Sequence, residues 1–284
     1  MYISTEIHSF QAYGDNYEIL AMLKEAGFDA YDYSMFHQSH AYREVLCADD
    51  YIEQAKALRA YADGLGLVCN QAHAPFISGR MGIEAYNEEF ISVVRRAIEV
   101  AAILGAKIIV VHPWNNYTAE ENARLYRLYE DTARKVGIKI GVENMWNWQA
   151  GAPTACAAAC SHHDDFKAHL DLLPSDIFVA CVDIGHAEMA GLDTNAPQML
   201  ETLGKRVEAL HIHDNDCVHD THTLPFMANI NFGAMVEALK KINYQGDITL
   251  EADRFIRSFP LKLYPQGARF MAEVAEYFRA ALKK

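Results

Sequence analysis

The stretch EAYNEEFISVVRRAIEVAAILGAKIIVVHP, residues 84–113, decides the fold. In its first part Phe90, Val93, Val94, Ala97, Ile98 and Ala101 recur at helical spacing, one apolar stripe on a helix from Glu84 to Leu104. Gly105 stands where a helix commonly ends. Ala106 to Val111 then runs almost continuously apolar, as a strand covered on both faces does, and His112-Pro113 stops it. Helix, glycine, buried strand and a polar group at the strand's end form one repeat unit.

The same unit recurs on either side. Strands are predicted over Tyr2–Ile7, Phe28–Tyr33, Leu67–His73, Ala106–Pro113, Ile138–Glu143, Ile177–Asp183, Arg206–His213 and Asp247–Glu251. Between and after them, helical spacing covers Tyr17–Ala26, Asp49–Ala62, Thr118–Val136, His162–Leu173, Ala196–Leu203, Phe232–Ile242 and Leu261–Leu282. Gly64 and Gly66 are read as breaking the second helix, Glu121 follows Thr118 as in a capping box, and Asn144–Ser161 is looser. No Pro/Gly/Ser-rich linker divides the chain, so residues 1–284 are expected to form a single (β/α)8 TIM barrel domain. A doubly wound open sheet is the runner-up, but the G-x-G-x-x-G turn is missing after the first strand.

Composition narrows the function. The 25 basic and 38 acidic residues leave a net charge of -13, a surface that repels a phosphate backbone; no nucleic-acid partner is expected. Cys47, Cys69, Cys156, Cys160, Cys181 and Cys217 form no C-x-x-C pair and read as reduced thiols. No apolar run spans a membrane, and no basic region followed by an apolar run marks the N-terminus. The expectation is a soluble cytoplasmic protein; a homo-oligomer is compatible with the sequence.

In such a barrel the active site lies where the strands end. His73, His112, Glu143, Asp183 with His186, His211 with His213, and Glu251 stand there on six successive strands. Along a strand His211 and His213 face the same way. Two Glu, an Asp and imidazoles without thiolate suit Mn²⁺, Co²⁺, Zn²⁺ or Mg²⁺. A carboxylate-rich site dispersed along the chain fits catalysis better than a structural zinc.

On the motifs His73-Ala74-Pro75, Val111-His112-Pro113, Gly141-Val142-Glu143-Asn144, Val182-Asp183-Ile184-Gly185-His186, His211-Ile212-His213-Asp214 and Thr249-Leu250-Glu251, the chain resembles the xylose isomerase-like TIM-barrel superfamily. The resemblance covers nearly its whole length. It implies that Glu143, Asp183, His211 and Glu251 hold one divalent ion, and that Glu143 and Glu251 exchange a proton with a sugar or polyol-ketone substrate through an enediolate. His186 matches a substrate-binding residue, and His73, His112, His213, Asp220 and His222 are expected substrate contacts. Trp114, Trp146 and Phe76 could wall the pocket, and Arg254 or Arg80 could serve a substrate oxygen. Cys217 stands where some ketose 3-epimerases carry an arginine. An inosose-type dehydratase is the nearest alternative. The type-IV apurinic endonucleases of the same superfamily use Asp-x-His, here Asp220-Thr221-His222, to hold a further zinc, with His73 and His112 also matching ligands. His162, His163 and His169 beside Asp164 and Asp165 read as a polar helix face, and Cys156 with Cys160 as small residues in an alanine-rich segment.

Overall fold

The structure, a computed structural model, describes residues 1–36, 46, 48–76, 79–80 and 82–283; Cys47 lies outside them. Eight strands alternate with helices: β1 (Ile3–Thr5), β2 (Ala30–Ser34), β3 (Val68–His73), β4 (Ile108–Val111), β5 (Lys139–Glu143), β6 (Phe178–Asp183), β7 (Val207–His211) and β8 (Ile248–Leu250). The helices are α1 (Asn16–Ala26), α2 (Tyr51–Leu65), α3 (Glu84–Leu104), α4 (Ala119–Val136), α5 (His163–Asp171), α6 (Ile184–Ala187), α7 (Ala196–Leu203), α8 (Phe232–Lys241), α9 (Asp253–Arg257) and α10 (Tyr264–Leu282). All strand pairs are parallel.

The sheet closes on itself. β2 through β7 pair in sequence order, and β1 pairs with β8. Single parallel bridges, Glu6 to Asp32 and Ile212 to Leu250, close the two seams. This is the α/β barrel expected from the repeat unit, and the open-sheet reading falls away.

Local chemistry sets the helix ends. Asp15 and Thr118 each accept the backbone N–H three residues on, and Glu18 and Glu121 return the bond, so both helices start with a full capping box. Gly105, at φ +93°, ends α3 in the left-handed conformation that a side chain disfavours. One boundary differs from expectation: Gly64 lies inside α2, and only Gly66 ends it, because only Gly66 takes positive φ. The short helices α6 and α9 were not anticipated, since they follow strand ends too closely to show a period.

Two register shifts interrupt the ladder. Tyr31 pairs with Cys69 but Asp32 with Gln71, leaving Asn70 as an extra residue in β3. Ala180 pairs with Val207 but Cys181 with Ala209, leaving Glu208 extra in β7. Bulges of this kind re-aim side chains, often beside functional sites.

The main core packs helices against the outer barrel face, with Tyr31, Tyr126, Tyr129, Phe90 and Phe178 fully buried. Within the barrel, Ile108, Val110, Val179, Cys181 and Ala209 form a smaller apolar cluster. A polar chain lies opposite: Asn70 Nδ2 donates to Thr249 Oγ1 at 3.2 Å, and Ser4 Oγ lies 3.0 Å from Thr249 Oγ1. No described helix is long and apolar enough to cross a membrane.

Candidate metal centre

The C-terminal ends of the strands gather ionisable groups around a cleft of about 330 Å³. A larger hollow of about 880 Å³ opens at the opposite end between Asn70, Lys107, Lys205 and Asp247, away from these groups. The strand-end residues are almost without exposure: Glu143 1%, Asp183 0%, His211 1% and His213 0%. Carboxylates and imidazoles are buried at such cost only when partnered or coordinating.

They form three touching clusters. The first joins Glu143, Asp183, His211 and Glu251, the expected quartet. His211 Nδ1 lies 3.0 Å from Glu143 Oε1 and 3.0 Å from Glu251 Oε2. The second joins His73, His112 and Glu143: both Nε2 atoms approach Glu143 Oε2, at 3.3 and 3.0 Å, and stand 3.0 Å from each other. The third joins His186, His213, Asp220 and His222, with Asp220 Oδ2 3.3 Å from His186 Nε2 and 3.1 Å from His222 Nε2. Glu143 belongs to two clusters, and Asp183, 3.0 Å from His213 Nε2, connects the first to the third.

Backbone carbonyls aim the rings. His73, His186 and His222 place Nδ1 against the carbonyls of Ala74, Asn144 and Glu251 at 2.7, 2.9 and 2.9 Å. A carbonyl only accepts, so Nδ1 holds the hydrogen and Nε2 faces the site, the usual support for metal-ligating histidine. Asn144 ties two strand ends together, donating to the Asp183 carbonyl and accepting the Asp183 N–H at 2.9 and 2.8 Å. Asp214, from the H-x-H-D motif, accepts the backbone N–H groups of Asn215, Ala228 and Ile230 and so shapes the following loop. Gly185 is required by proximity: a Cβ there would come 1.9 Å from the His213 ring.

The charges are mutually dependent. Burial alone would raise the Glu143 and Glu251 carboxyls, but facing His211 holds Glu143 well below the usual range and Glu251 at about 2. Burial would likewise lower His186, yet Asp183 and Asp220 push it up to about 10. Asp183 Oδ2, Asp220 Oδ1 and His213 Nε2 are buried without a hydrogen-bond partner among the described residues. Orphaned acceptors converging from several strands fit a divalent cation by donor chemistry and placement.

A model of the xylose isomerase-like TIM barrel matches residues 20–274. The chain belongs to that family. Among curated relatives, an uncharacterized protein of Methanocaldococcus jannaschii is 30% identical over 190 residues, 63% of this chain and 62% of that protein. Another, from Sinorhizobium fredii, is 29% identical over 59% of this chain and 55% of its own. The matches thus span less than two thirds of these relatives. A D-tagatose 3-epimerase-like protein superposes with TM-score 0.76 at 23% identity, covering 100% of this chain and 98% of the other. An IolI protein with a bound zinc atom superposes at TM-score 0.72 and 17% identity, over 100% and 98%. The 3-keto-D-glucoside 4-epimerase of E. coli does so at 0.70 and 21%, over 96% and 99%. At these identities the likenesses speak to the fold.

Within this xylose isomerase-like barrel most of the anticipated residues meet. His112, Glu143, Trp146, His186, Asp220, His222 and Glu251 line the cleft, and Trp146 Nε1 donates to Asp220 Oδ2 at 3.1 Å. Four anticipated substrate contacts do not line it: His73 and His213, which are buried within the clusters behind it, and Trp114 and Arg254. Trp114 joins the core under Gly79, against Tyr117, because its backbone N–H is tied to Asn122. Arg254 is exposed on α9 and meets the site only through its backbone N–H, which donates to His222 O. Arg80 stacks on Tyr86 at 4.5 Å.

β7 ends at His211, so strict alternation does not carry to His213; the two rings enter different clusters. His162 caps α5 by accepting the Asp164 N–H, buried His169 bonds Asn122 and the Asp165 carbonyl, and His162, His163 and Asp164 form a further group close enough to hold an ion. Cys156 and Cys160 share no helix: Cys156 lies in a bridge with Asn147. Sequence reading missed Asn115 and Met145 in the cleft wall, and Asp32 and Glu6 beneath it.

Proposed function

We propose that the chain is a divalent-metal-dependent isomerase or epimerase of a small sugar or polyol-ketone. The observation that carries this reading is the convergence of Glu143, Asp183, His211 and Glu251, drawn from β5, β6, β7 and the end of β8, on one point at the cleft. The names of the superposed epimerases and of the IolI protein support the substrate class. When bound there, Mn²⁺, Co²⁺, Zn²⁺ or Mg²⁺ would polarise a carbonyl and the adjacent hydroxyl and acidify the C–H between them.

Glu143 and Glu251 would then act as the acid/base pair, one taking the proton and the other returning it through an enediolate. For that exchange one of the two must enter as the carboxylate that takes the proton and the other as the carboxylic acid that returns it. His186, Asp220 and His222 would hold substrate hydroxyls, with the Trp146 and Phe76 faces beside them. Loss of hydroxide after the same abstraction would make the enzyme a dehydratase; mass analysis of the product separates the two.

Metal-stripped protein reloaded with each ion and offered ketoses and inososes is the direct test. Glu143→Gln and Glu251→Gln should each lower turnover by about 10²–10⁴-fold, the usual contribution of a positioned acid or base, with the fold retained. Near-normal activity in Glu251→Gln would sink the two-carboxylate mechanism.

A second reading is favoured by one observation: the second and third clusters could each hold an ion beside the quartet, as a three-zinc phosphodiesterase would need. The net charge of -13 opposes a nucleic-acid substrate. Three tightly bound zinc ions per chain, with cleavage of an abasic duplex, would establish it.

A further inference from the structure

We infer that Asp32 is the positioning residue of His211, accepting the hydrogen on Nε2 so that Nδ1 turns its lone pair toward a cation held by the quartet. The inference rests on reading that quartet as a metal site. Three of the site's other histidines, His73, His186 and His222, are held with Nδ1 against a backbone carbonyl and Nε2 inward. His211 is turned the other way round. Its Nδ1 faces Glu143 and Glu251, and its Nε2 points down the barrel, 3.7 Å from Asp32 Oδ2. Among the described residues no carbonyl aims this ring; the group on its far side is a carboxylate.

Asp32 is built for that task. It is 0% exposed, its Oδ2 accepts Gln71 Nε2 at 2.9 Å, and its Oδ1 is buried without a partner. The extra residue Asn70 in β3 brings Gln71 opposite Asp32 in register. At 3.7 Å the contact to Nε2 is an ion-pair distance, longer than a hydrogen bond, and the inference requires it to shorten when a cation is held. The Cys181 thiol also reaches the His211 ring, but sulfur is a weak acceptor beside a carboxylate. For Nδ1 to present a lone pair to a cation, the ring's hydrogen must sit on Nε2, the side that Asp32 faces. Asp32 makes the Nε2 hydrogen the one that stays.

The test uses full-length chelator-stripped protein and zinc as the probe. The binding step that His211→Gln abolishes identifies the quartet. Asp32→Ala should weaken that step about 10–100-fold, the usual cost of losing such a partner, while Asp32→Asn, which keeps one acceptor oxygen, should recover part of it. In zinc-loaded wild-type protein, nitrogen-15 spectra of the histidine rings should show the His211 hydrogen on Nε2; this decides the matter even where Asp32→Ala does not fold. Zinc affinity of Asp32→Ala within twofold of wild type, or a hydrogen on Nδ1, overturns the inference and leaves the metal site standing. Wild-type protein that binds no divalent ion overturns both.

Discussion

Glu6 is the least comfortable carboxyl of the molecule. It is 1% exposed at the end of β1, shares the barrel mouth with Glu251, and burial raises it to about 7. A carboxyl whose folded value lies above its unfolded one costs stability as pH rises between the two, here from about 4.5 to about 7, and the cost stays constant beyond. With metal chelated, Glu6→Gln should therefore gain stability relative to wild type between pH 5 and pH 8. The gain should be up to about 3 kcal/mol at roughly 1.4 kcal/mol per unit, read from urea unfolding at both pH values. Glu143, Asp183, His211 and Glu251 were legible from sequence because each closes an apolar strand with a ligand-type residue. Asp32 was not, since a lone acid between Tyr31 and Tyr33 looks like an ordinary alternation. Trp114 misled for the opposite reason: it follows His112 in sequence, while its backbone tie to Asn122 turns it into the core.

At the level of elements, helix starts and stops were readable wherever caps spell them out. Thr118 and Glu121 form the expected reciprocal pair at the start of α4. Thr118→Ala should cost about 1 kcal/mol in urea unfolding without changing metal binding, because the cap lies away from the ligand clusters. Strand register was not readable. The extra residues Asn70 and Glu208 interrupt pairing, the first opposite the Tyr31–Asp32 step and the second three residues before His211, and neither position carries a sequence mark such as glycine. The short α6 was hidden too, although its start is chemical: Asp183 Oδ1 accepts the His186 N–H at 2.7 Å, so one quartet residue also caps a helix.

For the molecule as a whole, the strand-end clusters set like charges against one another, and a bound cation relieves that repulsion. Stripping divalent ions should lower the melting temperature, and zinc at about 100 times its dissociation constant should restore about 2.7 kcal/mol. For a chain of this length that is a rise of roughly 5 °C in a thermal melt; no shift would contradict a native ion site. The barrel was legible because its unit repeats, whereas its two single-bridge seams depend on closure that no local stretch encodes. Pairing of β1 with β8 has a further consequence, one of timing. A growing chain holds its opening strand without a neighbour on that edge until residue 250 has emerged, and Glu251 follows directly. His73, His112 and Glu143 are made much earlier, so the second cluster has all its members long before the quartet, which waits for the ring to shut.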